Sequence, residues 1–169
     1  MNLNNKEIDQ LLDDTSSRLG KLLIETKREK PLIIGIHTGG FWIAKKILHR
    51  LGGDIPLGEL NIAFYRDDFS RIGMHPHVTP SQLPFDVEDK HIILVDDVLH
   101  TGRTIRAAMN EIFDYGRPAS ICLVVLIERT GRELPINADV VGKTITLKPN
   151  EHVKLSGPEP MALEIKYEE

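Results

Sequence analysis

Several features that mark large classes of proteins are scarce or absent in this sequence. Its 169 residues contain a single cysteine, Cys122, so no internal disulfide can form and a reducing compartment is expected. The longest purely apolar run, ICLVVLI, is too short to cross a bilayer, and the first residues, MNLNNKEIDQ, lack the basic and apolar pattern of a signal peptide. These absences predict a cytoplasmic protein with no membrane partner.

An excess of positive charge is also absent. Lysine and arginine together number 21 against 25 aspartate and glutamate residues, for a formal net charge of −4. This balance argues against a protein that coats nucleic acid through bulk charge, although a local basic face stays open. The hydrophobic fraction of 41% and the length suit one globular domain over residues 1–169 with a substantial core.

Apolar runs alternate with stretches of helical spacing along most of the chain. The runs predict strands at 31–36, 59–65, 91–95 and 120–128, and the spacings predict helices at about 6–29, 41–52 and 103–116. Shorter β-like pieces follow near ADVVG and MALEIKY. This alternation is typical of an α/β fold with an open, mainly parallel twisted sheet flanked by helices. Ligands of such sheets bind beyond the carboxyl ends of the strands.

The third predicted strand leads into the most informative motif, HIILVDDVLHTGRT. Asp96 and Asp97 come where that strand is expected to end, and the turn 101–104, Thr-Gly-Arg-Thr, opens the next helix. The N–H groups at a helix start are unsatisfied and lie at the positive end of the dipole, and Gly102 allows close approach, so the turn suits a phosphate. Paired carboxylates accept hydrogen bonds from vicinal hydroxyls. The motif predicts a ligand such as ribose 5-phosphate.

Two other interpretations of this motif account for less of it. An acidic strand end followed by an ordinarily capped helix accounts for one aspartate or threonine but leaves the pair of acids unexplained. A nucleoside triphosphatase loop is excluded because no G-x-x-x-x-G-K-[ST] pattern occurs.

The stretch ILVDDVLHTGRT resembles the phosphoribosyl pyrophosphate (PRPP) signature of type I phosphoribosyltransferases. FYRDDF, YGRPASI and RELPINADVVGK resemble the PyrR proteins, which are pyrimidine-operon regulators and also uracil phosphoribosyltransferases, and the likeness covers 32–143. It implies the type I phosphoribosyltransferase fold with a small hood after the fourth strand, and conversion of uracil and PRPP to UMP and pyrophosphate. It also implies Mg²⁺ carried by PRPP, with no metal ligand from protein side chains, and a homodimer or dimer-based oligomer.

The resemblance also implies the site residues. Catalysis is expected from Asp96, Asp97 and Arg66. PRPP binding is expected from Thr38, Gly39, Gly40, Asp96, Asp97, His100, Thr101, Gly102, Arg103 and Thr104. The loop His37-Thr38-Gly39-Gly40 differs from the Lys-Thr-Arg-Gly common in relatives. Pyrophosphate is therefore left to backbone amides, Mg²⁺ and a protonated His37, and the alternative is a plain strand-to-helix turn.

The segment 66–89 is long for a connection within a compact domain and resembles the loop that closes over the reacting centre. Arg66 and Arg71 would supply positive charge to the departing pyrophosphate. The alternative is a solvated loop in which His75 and His77 are incidental, since His-x-His with no nearby third ligand is a poor zinc signal.

The segment IERTGRELPI resembles the region that holds the base, so Glu128 and Arg129 are expected to line a uracil pocket; a salt-bridged surface turn is the alternative. The position of His100 suggests either a general base or packing over the base, and packing is favoured.

The family's RNA-binding face implies candidates at Arg18, Lys21, Arg132 and Lys143. Asn137 stands where many relatives have a basic residue. The alternative function is a UMP-responsive RNA-binding attenuator of the pyrimidine operon with little catalytic activity. A third interpretation is a degenerate fold that binds nucleotide without either activity.

Overall fold

The structure is a computed structural model that describes residues 2–62 and 80–167. Its elements, in chain order, are α1 (Asn5–Glu25), β1 (Leu32–Ile36), α2 (Gly39–Leu51), β2 (Leu57–Leu60), β3 (His91–Leu99), α3 (Arg103–Tyr115), β4 (Ser120–Arg129), β5 (Val140–Ile145), β6 (Glu151–Ser156) and β7 (Ala162–Tyr167).

The first five strands form one sheet in the order β2-β1-β3-β4-β5, and each neighbouring pair is parallel. The open α/β architecture predicted from the alternation of elements is confirmed. β6 and β7 form a separate antiparallel sheet, to which Leu3 adds a bridge with Leu163. This small sheet follows the fourth strand along the chain, as the predicted hood does.

Helices cover both faces of the large sheet. Buried residues of α1 and α2, such as Leu12 and Ile43, pack with Ile93 and Val95 of β3 on one face. Buried residues of α3 pack with the alternate side chains of β3 on the other face. Because successive strand residues point to opposite faces, a strand covered on both sides has to be a continuous apolar run, which is the pattern of β1, β3 and β4.

Three elements differ most from the sequence prediction, while the ends of β1, α2, α3 and β4 differ by at most two residues. α1 ends at Glu25 rather than near 29, since Lys27 adopts a φ of 53° that no helix continues through. β2 occupies Leu57–Leu60 rather than 59–65, because its pairing with β1 stops where β1 ends; positions 63–65 lie outside the described residues. β3 continues past residue 95 to Leu99, since it remains paired with β4 after β1 has ended.

Cys122 lies in the core of β4, where none of its surface is exposed. Burial, reinforced by the Asp139 carboxylate, raises the pKa of its thiol to about 11. The side chain is therefore a protonated core residue and not a nucleophile. Among the described helices, none combines the length and the apolar character that a membrane span requires.

Candidate functional site

The two acids of the central motif lie within β3, not at its end as the sequence predicted. Pairing of β3 with β1 stops at Val95, whereas pairing with β4 continues to Leu99. Asp96 and Asp97 therefore stand where β3 has lost its neighbour β1 and keeps only β4. Asp96 is 3% exposed and accepts a hydrogen bond from the Asp97 N–H at 3.0 Å, and Asp97 is half-buried.

The loop from His37 to Gly40 fills the space beyond β1 and packs directly on these acids. A Cβ on Gly39 would lie 2.3 Å from Asp97 Oδ2, and one on Gly40 would lie 2.6 Å from the Val95 carbonyl oxygen. Only glycine permits so close an approach. Thr38 is the N-cap of α2, with no side-chain capping bond, and the His37–Thr38 peptide is cis.

The turn 101–104 follows the acids along the chain, at the start of α3. Gly102 is the N-cap, with a φ of 93°, and it makes no side-chain capping bond. The Arg103 N–H donates to Thr101 Oγ1 at 3.2 Å. Neither α2 nor α3 carries an acidic residue in its first turn. Two positive helix ends thus flank the two carboxylates, an arrangement suited to a sugar that carries an anionic group at each end.

The segment after β4 fastens this turn in place. The Thr101 carbonyl oxygen accepts from the N–H groups of Glu133 and Leu134, each at 3.0 Å. Arg103 Nε donates to Glu133 Oε2 at 2.9 Å, and Arg132 Nη1 donates to the carbonyl oxygen of His100. The turn is therefore held by groups about thirty residues away, which no local pattern in the sequence indicated.

The side chains expected to line a base pocket have partners within the protein. Glu128 Oε1 accepts from Arg132 Nη2 at 2.5 Å, and Glu128 Oε2 accepts from Thr144 Oγ1 at 3.5 Å. Arg129 is 8% exposed and donates from Nη1 to the Glu151 carbonyl oxygen at 2.8 Å, while its Nε is buried without a partner. Arg129 therefore joins the end of β4 to the small sheet, whereas Glu128 is paired with Arg132 and with Thr144 of β5.

His100 lies between the acids and the turn, with its ring against Gly131, where a Cβ would be 2.8 Å from His100 Nε2. Burial lowers the pKa of His100, the neighbouring Arg129 lowers it further and Arg132 adds to this, against an opposing effect of Glu133. The imidazole is consequently neutral near pH 7.

The four candidates for an RNA-binding face lie in two different parts of the structure. Arg18 donates from Nη2 to the Val141 carbonyl oxygen at 2.7 Å, which brings α1 beside β5. Lys21 and Lys143 are exposed on these two elements. The guanidinium of Arg132 is instead turned towards Glu128 and the His100 carbonyl.

Some sequence predictions fall outside what the structure describes, namely those for Arg66, Arg71, His75 and His77. Within residues 2–62 and 80–167, no group of three or more histidine, cysteine, aspartate and glutamate side chains is placed to hold a metal ion. Sequence reasoning missed Glu59, whose Oε1 lies 2.5 Å from His37 Nδ1, because a single glutamate in a predicted strand gives no signal of its partner.

Comparison with known proteins adds to this geometry. Residues 5–158 match the family model described as a phosphoribosyl transferase domain. A Nitrosococcus oceani protein named bifunctional protein PyrR is 62% identical over 162 residues, which is 95% of this chain and 92% of the relative. The chain belongs to the PyrR family of phosphoribosyltransferases. A PyrR of Pseudomonas aeruginosa is 55% identical over 157 residues, or 93% of this chain and 92% of that one.

Solved structures agree with the PyrR assignment at the level of fold. The hypoxanthine phosphoribosyltransferase of Trypanosoma cruzi superposes with a TM-score of 0.66 at 22% identity, covering 89% of this chain and 82% of that one. The corresponding Staphylococcus aureus enzyme gives 0.66 at 20% identity, covering 94% and 89%. The predicted type I phosphoribosyltransferase fold is confirmed, and this PyrR is an enzyme of the pentosyl-transferring class.

Proposed function

We propose that this PyrR transfers the 5-phosphoribosyl group of PRPP to uracil, yielding UMP and pyrophosphate. The observation that carries the proposal is the position of Asp96 and Asp97 between two glycine-lined helix starts, at Gly39 and at Gly102. PRPP suits this arrangement, because its ribose hydroxyls can bind the two carboxylates and its phosphate and pyrophosphate can each bind a helix start.

Each part of the site has a role in this reaction. Asp96 and Asp97 accept hydrogen bonds from the ribose hydroxyls, residues 101–104 bind the 5-phosphate, and Thr38, Gly39 and Gly40 donate backbone N–H groups to the pyrophosphate. The bond between ribose C1 and the pyrophosphate oxygen breaks, and its electron pair leaves with pyrophosphate. A bond from C1 to a uracil nitrogen forms, and the proton of that nitrogen passes to pyrophosphate or to solvent. Orientation of the two substrates supplies much of the acceleration.

Mg²⁺ belongs to this scheme as part of the substrate, because it travels with pyrophosphate and neutralises the leaving group. In this scheme Asp96 and Asp97 are directed at the sugar, and the metal is brought in by the ligand. Arg66 is proposed to add positive charge to the same pyrophosphate.

The base is proposed to lie near Glu128, Arg129 and His100. Because its ring is neutral, His100 can pack on an uncharged planar base such as uracil. Since Glu128 is held by Arg132, the base is recognised largely by backbone groups of this region, and Arg129 contributes through the position of its buried guanidinium.

The test of this function is a comparison of bases at saturating PRPP and Mg²⁺. We expect UMP formation from uracil, and at least about tenfold lower kcat/KM with hypoxanthine, guanine or orotate, since one mismatched polar contact costs about 1.4 kcal/mol or more. Product is measured by chromatography. No turnover with uracil, or faster turnover with a purine, would contradict the proposal.

A second function, UMP-responsive binding of pyrimidine-operon leader RNA by a dimer or a dimer-based oligomer, is favoured by the contact of Arg18 with β5, which places basic side chains of both elements on one surface. We expect gel-shift affinity for that RNA to increase with UMP, fall with salt, and weaken when Lys21 and Lys143 are both changed to Gln. Binding that ignores UMP, or that survives the double change, contradicts this role.

A further inference from the structure

One guanidinium joins the two strand ends that border the site. Arg132 lies on the segment that follows β4, and its two terminal nitrogens have different acceptors. Nη1 donates to the carbonyl oxygen of His100, and Nη2 donates to Glu128 Oε1 at 2.5 Å. His100 immediately precedes the turn 101–104, and Glu128 is the penultimate residue of β4. Arg132 therefore bridges the loop after β3 and the end of β4.

The bond to the His100 carbonyl determines where the next N–H group points. The peptide unit between His100 and Thr101 is planar and trans. In such a unit the C=O and N–H groups point in opposite directions. A carbonyl turned towards Arg132 therefore directs the Thr101 N–H away from the segment that carries the arginine. In this way Arg132 sets the direction of one donor of the turn proposed to bind the 5-phosphate.

The following peptide unit is oriented in the same way, but by backbone groups. The Thr101 carbonyl oxygen accepts from the N–H groups of Glu133 and Leu134, each at 3.0 Å. The Gly102 N–H is thus directed away from this segment as well. A Cβ on Gly102 would lie 3.4 Å from the Cβ atoms of Leu134 and Ile136, so the turn packs on the segment. Two successive N–H groups are aligned, and the first of them depends on a side chain.

A guanidinium suits this task better than another cation. It is a rigid planar fork that holds two acceptors at once, whereas a lysine ammonium is a point charge on a flexible stem. Glu128 holds the second arm of the fork, and the side chains of Arg132 and Glu128 are 22% and 25% exposed. Arg132 Nε is buried. The guanidinium is thus turned into the protein and not towards a polyanion at the surface.

We propose that Arg132 is a positioning residue for the 5-phosphate, because it holds the His100 carbonyl so that the Thr101 N–H faces the anion. The inference rests on the proposed function for the identity of that anion as the phosphate of a ribose 5-phosphate. It assigns Arg132 to the phosphoribosyl site, whereas the sequence resemblance placed it among the candidates for RNA binding.

The experiment measures ribose 5-phosphate, UMP and pyrophosphate–Mg²⁺ separately, by calorimetry with the full chain. In Arg132→Gln the affinities for ribose 5-phosphate and for UMP should both fall about tenfold, as expected when one polar contact is misplaced. The affinity for pyrophosphate should stay unchanged, because that anion is proposed to bind at the other helix start, at Gly39. A general loss of structure would instead weaken all three. Arg117→Gln, exposed between α3 and β4, is the matched control and should change none of them.

Conservative variants separate the position of the guanidinium from its charge. Arg132→Lys keeps the charge but cannot span both acceptors, so it should lose nearly as much affinity for ribose 5-phosphate as Arg132→Gln does. Glu128→Gln loosens the fork and should weaken ribose 5-phosphate in the otherwise wild-type chain. In the Arg132→Gln background it should cost little, because its partner is already gone. Ribose 5-phosphate carries no base, so a contact of Glu128 with the base does not enter this comparison.

Three results would overturn the inference: wild-type affinity for ribose 5-phosphate in Arg132→Gln, equal losses of ribose 5-phosphate and pyrophosphate affinity, or wild-type affinity in Arg132→Lys. Loss of gel-shift affinity for RNA without loss of ribose 5-phosphate affinity would assign Arg132 to the RNA-binding face instead. None of these measurements uses uracil. Failure of the base assay with normal ribose 5-phosphate binding would therefore reject the proposed reaction and leave the assignment of Arg132 standing.

Discussion

Replacing either carboxylate of the β3 pair by its amide should lower kcat/KM for UMP synthesis by about 10²- to 10³-fold, the loss typical when one preorganised polar group is removed from a reacting centre. Asp96→Asn and Asp97→Asn keep the shape of the side chain but remove its charge. An amide presents one acceptor oxygen and an NH₂ donor to the sugar, where the carboxylate presents two acceptors. One of the two hydroxyl contacts is therefore lost.

The fold should survive these changes. Asp96 Oδ1 accepts the Asp97 N–H at 3.0 Å, and the amide oxygen of asparagine can accept the same bond. We expect thermal unfolding within a few degrees of the wild type, together with weakened PRPP binding. Asp114→Asn, an exposed change of the same kind on α3, is the control for charge alone. A variant of Asp96 or Asp97 with wild-type rate would refute the assignment of the acids to the ribose.

The residues that could be identified from the sequence alone share one property. Each is recognised from the residues that lie next to it in the chain. Asp96, Asp97 and the turn 101–104 occur within nine residues, so the link from strand to helix start can be read locally. The same holds for the glycine pair at 39–40, which is separated from β1 by only two residues. A parallel sheet brings both loops to one edge whatever the details of packing.

The partners of these residues could not be predicted in the same way. His37 and Glu59 are 22 positions apart, and Arg132 and His100 are 32 apart. Their contacts depend on which strands are neighbours and in what register they pair. The end of β3 was misplaced for a related reason, because the apolar run stops at Val95 whereas pairing with β4 continues to Leu99. Polarity marks the end of a buried stretch, and hydrogen bonding marks the end of a strand.

Adding a single methyl group to the pyrophosphate loop should lower activity about as much as removing the charge of one carboxylate does. In Gly39→Ala the new Cβ would lie 2.3 Å from Asp97 Oδ2, so that side chain has to leave the position proposed to hold the ribose. A side chain can rotate away, so we expect a loss of about 10²-fold or more in kcat/KM with little change in stability. In an Asp97→Ala background the same change should cost little further, because the two closest atoms, Asp97 Oδ2 and Cγ, are gone and only Cβ at 3.1 Å remains.

Gly40→Ala should differ from Gly39→Ala because the two nearest atoms that its new Cβ would meet belong to the backbone of β3. Its Cβ would lie 2.6 Å from the Val95 carbonyl oxygen and 2.9 Å from Asp96 Cα, so either α2 or β3 must shift. We expect a loss of about 1–3 kcal/mol in the free energy of unfolding, as overpacking costs, in addition to the loss of activity.

Gly20→Ala is the matched control, since its nearest neighbour is Leu51 Cδ2 at 3.8 Å and alanine favours the helix by about 0.5–1 kcal/mol. Urea unfolding and the UMP assay on the three variants separate these outcomes. Full activity in Gly39→Ala would mean that the loop and Asp97 do not act on the same ligand.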